Sequence, residues 1–557
     1  MILDTIRKLV KEGSNLDFDF EFADRFSDIC LSPGEINRIS HESGKSPEEL
    51  ISSLDNLFAD KLTDLTEKTE YLGGFYNIHI KNLALAENLR LINKDLDLYL
   101  IDSDKKGETV IIDYSSPNIA KPFSVGHLRS TIIGQANLAC HQALGYKTVG
   151  VNHIGDWGTQ FGKLIVAIKR WGDEGEIEKD PIRSLNNLYV KFHKEQEEDS
   201  TLEDEARNWF TRLEQGDKEA QRLWKKCVTW SLAEFDRIYD RLGIHIESVK
   251  GESFYHSHLE GVVVELKEKK LLEKSENAQI VKIGDLPPAL IKKSDGSTLY
   301  MTRDLAALKY RIKEYNPKKI IYHVGNDQAL HFRQLEEVAK KLGWLDGSKI
   351  VFAGHGLLRL PEGKMSTRLG KTILLEDLIE EAVTRSLKII EDKNPDLKNK
   401  KDIAEKIGIS AIKYSDLSQN RKSDIEFSFD RAISLEGNSG PYLQYTYARI
   451  SSLIRKYEDK FSDSSSELKV EDNFREIAML IVRVKETLRK SANSSMPSMI
   501  CDHAFKIANA FNSYYEKQKI VSEDEKSSSI KIQTIYLIQK VLGKLIDILG
   551  IDRLEEI

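Results

Sequence analysis

Cysteine is scarce in this chain: Cys30, Cys140, Cys227 and Cys501 are the only four in 557 residues. No two of them have the close spacing of a zinc site, and nothing in their scatter suggests a disulfide framework, so reduced, mostly packed thiols are expected. Long apolar runs are missing as well. A membrane span needs about 18 apolar residues in succession, whereas the densest short run, Leu164–Ile168, suits only a strand or a helix turn. The first residues mix acid, base and apolar side chains (Asp4, Arg7, Lys8, Lys11, Glu12) without the apolar centre or cleavage pattern of a secretion signal. A soluble, cytoplasmic protein is therefore expected. A basic excess is absent too: 82 Lys+Arg face 89 Asp+Glu, a net charge of −7. Residues 1–100 hold −8 of this and the remainder sums to +1. That balance argues against gripping nucleic acid by bulk electrostatics, so any such contact must use local patches. No internal repeat is visible.

What is present describes a folded chain of roughly three or four domains, with 40% hydrophobic and 31% charged residues. It divides into three blocks. Residues 1–105 are acidic, with helical patterns early and a Gly73-Gly74 turn leading into a strand at Phe75–Ile80. Val110–Tyr114 then reads as a buried strand, and Ser115-Ser116-Pro117-Asn118 breaks it. Val125–Leu144 has helical spacing and is stopped by Gly145, and Lys147–Ile154 reads as another strand. This βαβ unit predicts a parallel α/β sheet over residues 106–395, with further strands at Lys319–Val324 and Lys349–Ala353. A charged helical stretch at 175–245 looks like an insertion, and 391–402 reads as a polar linker. Residues 403–557 predict a helical bundle with Ser-rich breaks at 462–466 and 527–529.

Three clusters in the second block carry the chemistry. The first, Ser116 to Thr131, falls where a strand gives way to a helix, the place where open α/β sheets bind phosphate at a helix N-terminus. Gly126 allows close backbone approach, while Lys121 and His127 can donate to phosphate oxygens; the plainer reading is a loop with a capping histidine. The second, Gly363–Lys371, holds three cations, two hydroxyls and two glycines, as suits a loop closing over a polyphosphate or, equally, an ordinary solvated loop. The third joins Tyr300–Asp304 with Tyr322–Gln328, whose polar groups should face the same crevice.

Together these strings resemble the class I aminoacyl-tRNA synthetases, and among them the arginyl-tRNA synthetases. Ser124-Val125-Gly126-His127 is similar to the HIGH motif and Lys364-Met365-Ser366-Thr367-Arg368 to the KMSKS loop. Ser116–Phe123, Asn152–Gly162, Tyr300–Asp304 and Gly440–Tyr445 carry the arginyl resemblance, which extends over residues 70–557. It implies a Rossmann-like catalytic domain between an α+β N-terminal domain that meets the tRNA elbow and an all-α anticodon-binding bundle. It implies ATP-dependent ligation of L-arginine to its tRNA through an arginyl-adenylate, with Mg²⁺ on the ATP, no zinc and a monomeric chain. The nucleotide side would comprise Lys121, Ser124, Gly126, His127, Gly325, Asp327 and Lys364, with Ser366 and Arg368 beside Lys364. Asn118, Glu252, Tyr300, Asp304 and Gln328 would hold arginine; two carboxylates suit its five-donor cationic fork. Without the family, Asp304 reads as a salt-bridge partner of Arg303 or a helix cap. Phe75 and Asn77 would meet a base at the elbow, and Tyr445, Arg449 and Tyr515 the anticodon, although aromatics at helical spacing also serve as core. Two departures stand out: Ser124 replaces the first histidine of HIGH, and the chain closes on Ile557 where relatives often have methionine. A tRNA-binding paralogue without catalysis is the rival reading, and a different nucleotidyl transferase of the same sheet type is a third.

Overall fold

The computed structural model describes residues 1–23, 26–275, 278–293, 300–360, 374–457, 468–518, 520 and 525–557. At the N-terminus, helices Ile2–Ser14, Pro33–Ser43 and Pro47–Lys61 pack on a four-stranded antiparallel sheet ordered 21–22, 29–31, 75–80, 66–72. Pro47–Lys61 starts as its sequence dictates: Ser46 and Glu49 close a capping box around Pro47 at the first helical position. Gly73 and Gly74 have φ of +61° and +84°, the left-handed pair that a two-residue hairpin turn requires. The turn therefore joins two strands, and Thr66–Leu72 is a strand where the sequence showed only the one that follows.

The second block is built on a five-stranded parallel sheet ordered 349–352, 319–322, 109–113, 147–152, 248–249. Val110, Ile111 and Ile112 in its middle strand are fully buried, as a strand covered on both faces must be. From that strand the chain crosses to Lys147–Asn152 on one side, while Lys319–Tyr322 pairs on the other. This reversal of strand order opens a crevice at the strands' carboxyl ends. Helix Val125–Ala143 makes the first crossover, and Gly134 is required there because a Cβ would overlap the Tyr114 ring.

The predicted insertion is helical, at Glu174–Lys179, Pro181–Glu198, Thr201–Glu214 and Lys218–Arg241. It is anchored to the crevice by Trp224, whose Nε1–H donates to the Asp156 carbonyl at 2.8 Å. A three-stranded antiparallel sheet at 272–275, 278–283 and 286–293 was not foreseen. Beyond it, helix Leu375–Lys393 runs further than expected, shortening the polar linker to 394–399 before Lys400–Leu417. The bundle continues through Gly440–Tyr457, Arg475–Ser494, Ser498–Lys517 and Glu525–Ile548. Ser527–Ser529, expected to break a helix, lie inside the last of these; the break expected at 462–466 lies outside the described residues.

Charged side chains fasten the blocks together. Arg489 pairs with both Asp4 and Asp102, and Arg475 reaches Asp28 at 2.6 Å, joining the bundle to the N-terminal domain. Arg129, on the helix lining the crevice, pairs with Asp416 of the bundle at 3.1 Å, both fully buried. Cys140, Cys227 and Cys501 are buried free thiols, and Cys30 is partly buried. Among the described residues no helix is long and apolar enough to cross a membrane.

Candidate active site

One side of the crevice is built largely from backbone. After Asp113 the chain turns sharply, with Ser115, Ser116 and Ala120 at φ of +71°, +52° and +61°. Each such non-glycine residue costs on the order of 1–3 kcal/mol and persists only where its surroundings impose it. Here they do: the N–H groups of Ser115, Ser116 and Ala120 donate to Ser130 Oγ, Asn152 Oδ1 and Ser231 Oγ at 2.9–3.0 Å. The turn delivers Ser124 to the start of helix Val125–Ala143. The Ser124 N–H donates to His127 Nδ1 at 3.1 Å, with the Ser124 hydroxyl also 3.1 Å away. Because Nδ1 accepts, the proton of the neutral ring sits on Nε2. Burial holds the imidazole below its usual pKa, and nearby Lys121 adds to this against the Ser124 bond. His127 is therefore a neutral donor at a helix N-terminus. Exposed Gly126 lies beside it, where a Cβ would meet only Ser124 Oγ at 3.4 Å. Among the described residues nothing demands glycine there. Lys121 is exposed nearby.

Across the crevice, Gly325–Gln328 follows strand Lys319–Tyr322. Gly325 bridges to His355, and Gln328 Nε2–H donates to Asp327 at 2.8 Å, with both side chains exposed. Lys364, Ser366 and Arg368 lie outside the described residues.

The other side of the crevice is made of paired charges around segment 152–156. Asn118 bridges to Gly155, where any Cβ would overlap its side-chain oxygen. The Glu252 N–H donates to the Ile154 carbonyl at 3.1 Å. Asp156 accepts from the Ser253 N–H and hydroxyl at 2.8 and 2.6 Å, and burial nonetheless raises its pKa. The Glu252 carboxylate takes Arg303 at 2.8 Å, with side chains only 15% and 17% exposed. Burial, with the neighbouring Asp304 and Asp156 carboxylates, pushes Glu252 up to about 7 against the opposing pull of Arg303. Asp304 does not pair with Arg303: its Oδ2 lies 2.6 Å from His331 Nε2, and its Oδ1 3.9 Å from His153 Nε2. Burial raises the Asp304 pKa, but the His331 bond, His153 and Arg311 outweigh it and hold the carboxyl below its ordinary value. Tyr300 is exposed, with the Arg303 guanidinium 5.6 Å from its ring. His153 Nδ1 is buried without a hydrogen-bond partner among the described residues.

The fold thus brings Asn118, Glu252 and Asp304 together, with His127 in the first turn of helix Val125–Ala143 and Gln328 immediately before helix Ala329–Leu342 on the flanks. Sequence reasoning missed His153, His331 and the role of Arg303. His331 had one signal, its place in the first turn of helix Ala329–Leu342 three residues after Gln328.

Away from the crevice, Phe75 is 42% exposed on the N-terminal sheet. Asn77 is not open as anticipated: it is 9% exposed, accepts from the Ser27 hydroxyl and donates to the Phe75 carbonyl. In the bundle, Arg449 donates to Tyr445 OH and Asn512, and lies 4.9 and 6.0 Å from the Tyr445 and Tyr515 rings. Tyr445 and Arg449 line a cavity of about 760 Å³, together with Tyr442, Asn512 and the terminal Ile557.

Comparison with known proteins identifies the family. The family profile for class I (R) tRNA synthetases, catalytic domain, matches residues 91–429, and the DALR anticodon binding domain matches 443–557. An arginine–tRNA ligase of Halothermothrix orenii is 42% identical over 507 residues, 89% of each chain. One from Enterococcus faecalis is 40% identical, covering all of this chain and 97% of that one. Among solved structures, arginyl-tRNA synthetase from Plasmodium falciparum superposes with a TM-score of 0.85 at 25% identity, over 100% of this chain and 99% of that one. The Thermus thermophilus arginyl-tRNA synthetase has the same fold, with a TM-score of 0.83 at 21% identity and the same coverage. The chain belongs to the class I arginyl-tRNA synthetases.

Proposed function

We propose that this chain activates L-arginine with ATP and transfers it to tRNA, with the crevice residues dividing the work between charge recognition and phosphate positioning. Arginine's carboxylate is ionised near neutral pH, so its attack on the α-phosphorus needs no general base. A carboxylate oxygen bonds to that phosphorus as the bond to pyrophosphate breaks, giving arginyl-adenylate. A ribose hydroxyl of the tRNA terminus then attacks the carbonyl carbon and AMP leaves. Both steps call for in-line placement and donors aimed at the phosphate. His127 Nε2–H and the amide end of helix Val125–Ala143 fill that role, with Ser124 and Lys121 beside them. Gly126, Gly325 and Asp327 border the nucleotide, and Lys364, Ser366 and Arg368 act on the polyphosphate. Mg²⁺ arrives on the phosphate oxygens of ATP and neutralises their charge.

Glu252 and Asp304 take the guanidinium, Tyr300 packs beside it, and Asn118 and Gln328 hold the amino and carboxylate ends. Lysine cannot span two carboxylates in fork geometry, and sites of this kind can reject near-cognates by roughly 10⁴. Phe75 stacks on an unpaired base at the elbow, with Asn77 set behind it by Ser27. Tyr445 and Arg449, which line the 760 Å³ cavity, receive the anticodon together with Tyr515, whose ring lies 6.0 Å from the Arg449 guanidinium. The domain division at about 105 and 395–403, action as a monomer and a cytoplasmic location belong to the same reading.

The observation that carries it is the meeting of Glu252 and Asp304 beside segment 152–156, next to the turn that leads to His127. Arginine-dependent pyrophosphate exchange tests it, run with tRNA present because the family resemblance implies that tRNA is needed for activation. Exchange with arginine and not lysine is expected; no exchange would favour a tRNA-binding paralogue.

A further inference from the structure

Glu252 has a guanidinium partner within the chain itself. Arg303 donates to Glu252 Oε2 at 2.8 Å and places its guanidinium 5.6 Å from the Tyr300 ring. These are two of the groups assigned above to the substrate's guanidinium. The adjacent carboxylate, Asp304, is matched separately by His331 at 2.6 Å. We propose that Arg303 is an internal stand-in for the substrate: it holds Glu252 in the absence of arginine and yields that carboxylate to the incoming guanidinium.

The inference rests on the arginine-pocket reading and deepens it. Asp156, Glu252 and Asp304 crowd one partly dry crevice, and carboxylates so placed need cationic partners or must take up protons. Arg303 supplies such a partner with the shape and charge of the ligand. Arginine then exchanges one planar fork for another, a nearly balanced trade. Lysine offers a compact ammonium that cannot replace the fork in kind, so the exchange itself favours arginine. The groups facing Glu252 are Asp156, from the loop after strand Lys147–Asn152, and Arg303 and Asp304, from helix Tyr300–Tyr315; His153, Arg311 and His331 face Asp304 in turn.

Calorimetric titration of arginine and lysine into the whole protein and its Arg303→Gln variant, between about pH 6.5 and pH 9, tests the exchange. A competing internal partner weakens apparent affinity by the fraction of protein it occupies. At pH 9 the variant is therefore expected to bind arginine about fivefold more tightly than the native chain, the worth of a partly exposed ion pair. At pH 6.5 it should bind more weakly, because Glu252 without Arg303 takes up a proton. The ratio of the two dissociation constants thus crosses unity, and discrimination against lysine falls. Should Arg303→Gln not fold, Arg303→Lys is expected to move affinity at pH 9 in the same direction by a smaller factor. Weaker binding at both pH values, or equal binding at both, would overturn the proposal. Glu252→Gln separates the two layers. It should weaken arginine at least about tenfold; no loss would remove the pocket reading and this proposal together, whereas a loss without the crossing would remove the exchange alone.

Discussion

The two ends of the crevice solve opposite problems. At the end proposed for the nucleotide, the groups left to meet an anion are a helix N-terminus and a neutral histidine with its proton on Nε2, set in place by a turn of three strained residues whose own N–H groups are satisfied within the fold. At the end proposed for arginine, whose side chain is a cation, stand side-chain carboxylates that already have partners, Glu252 with Arg303 and Asp304 with His331. Backbone dipoles can wait in water at little cost, but half-buried carboxylates cannot. Substitutions at the first end should therefore affect mainly the rate of phosphate chemistry, and at the second mainly the hold on arginine.

The largest expected effect lies at the amino-acid end. Asp304→Ala should raise the arginine KM by about 100-fold, as truncating one partner of a hydrogen-bonded charge pair does, and leave the ATP KM nearly unchanged. Steady-state kinetics with each substrate varied would show it, and equal effects on both substrates would break the contrast. At the nucleotide end, His127→Ala and Lys364→Ala should each lower kcat by about 100-fold while moving the arginine KM little, read from single-turnover adenylate formation. Gly155→Ala sharpens the comparison, because its new methyl overlaps Asn118 Oδ1 without touching a charge. It should raise the arginine KM by about tenfold, the cost of a forced shift in a packed site. The smallest effect is with pH. Glu252 titrates at about 7, and a cationic ligand binds the ionised form. Between pH 8 and pH 6 a growing fraction of Glu252 must lose a proton before arginine enters, so the arginine KM should rise several-fold on acidification.

Much of this was readable from sequence, for identifiable reasons. Strand Thr109–Asp113, helix Val125–Ala143 and strand Lys147–Asn152 announce themselves by buried β-branched runs and glycine stops, and they fix the crevice. Thr66–Leu72 did not, because it is an edge strand whose charged residues are mostly exposed and lack apolar alternation. Leu286–Lys293 hid behind Pro287 and Pro288, tolerated there because the strand is at an edge and its register shifts at the prolines. Helix Glu525–Ile548 absorbs a serine run, with Ser528 buried, because tertiary packing overrides local propensity. At the site, family strings named Glu252 and Asp304. Their partners are pairwise facts of three dimensions: Arg303 sits beside Asp304 in sequence yet pairs with Glu252, 51 residues away.

The claim on which the rest depends is that Glu252 and Asp304 act on one guanidinium. A double-mutant cycle with Glu252→Gln and Asp304→Asn, read as arginine dissociation constants by calorimetry at pH 8, addresses it directly. Each single change is expected to weaken arginine at least about tenfold, and the double change to fall short of the product, because both carboxylates grip the same planar group. Undiminished arginine affinity in either single variant would contradict the account.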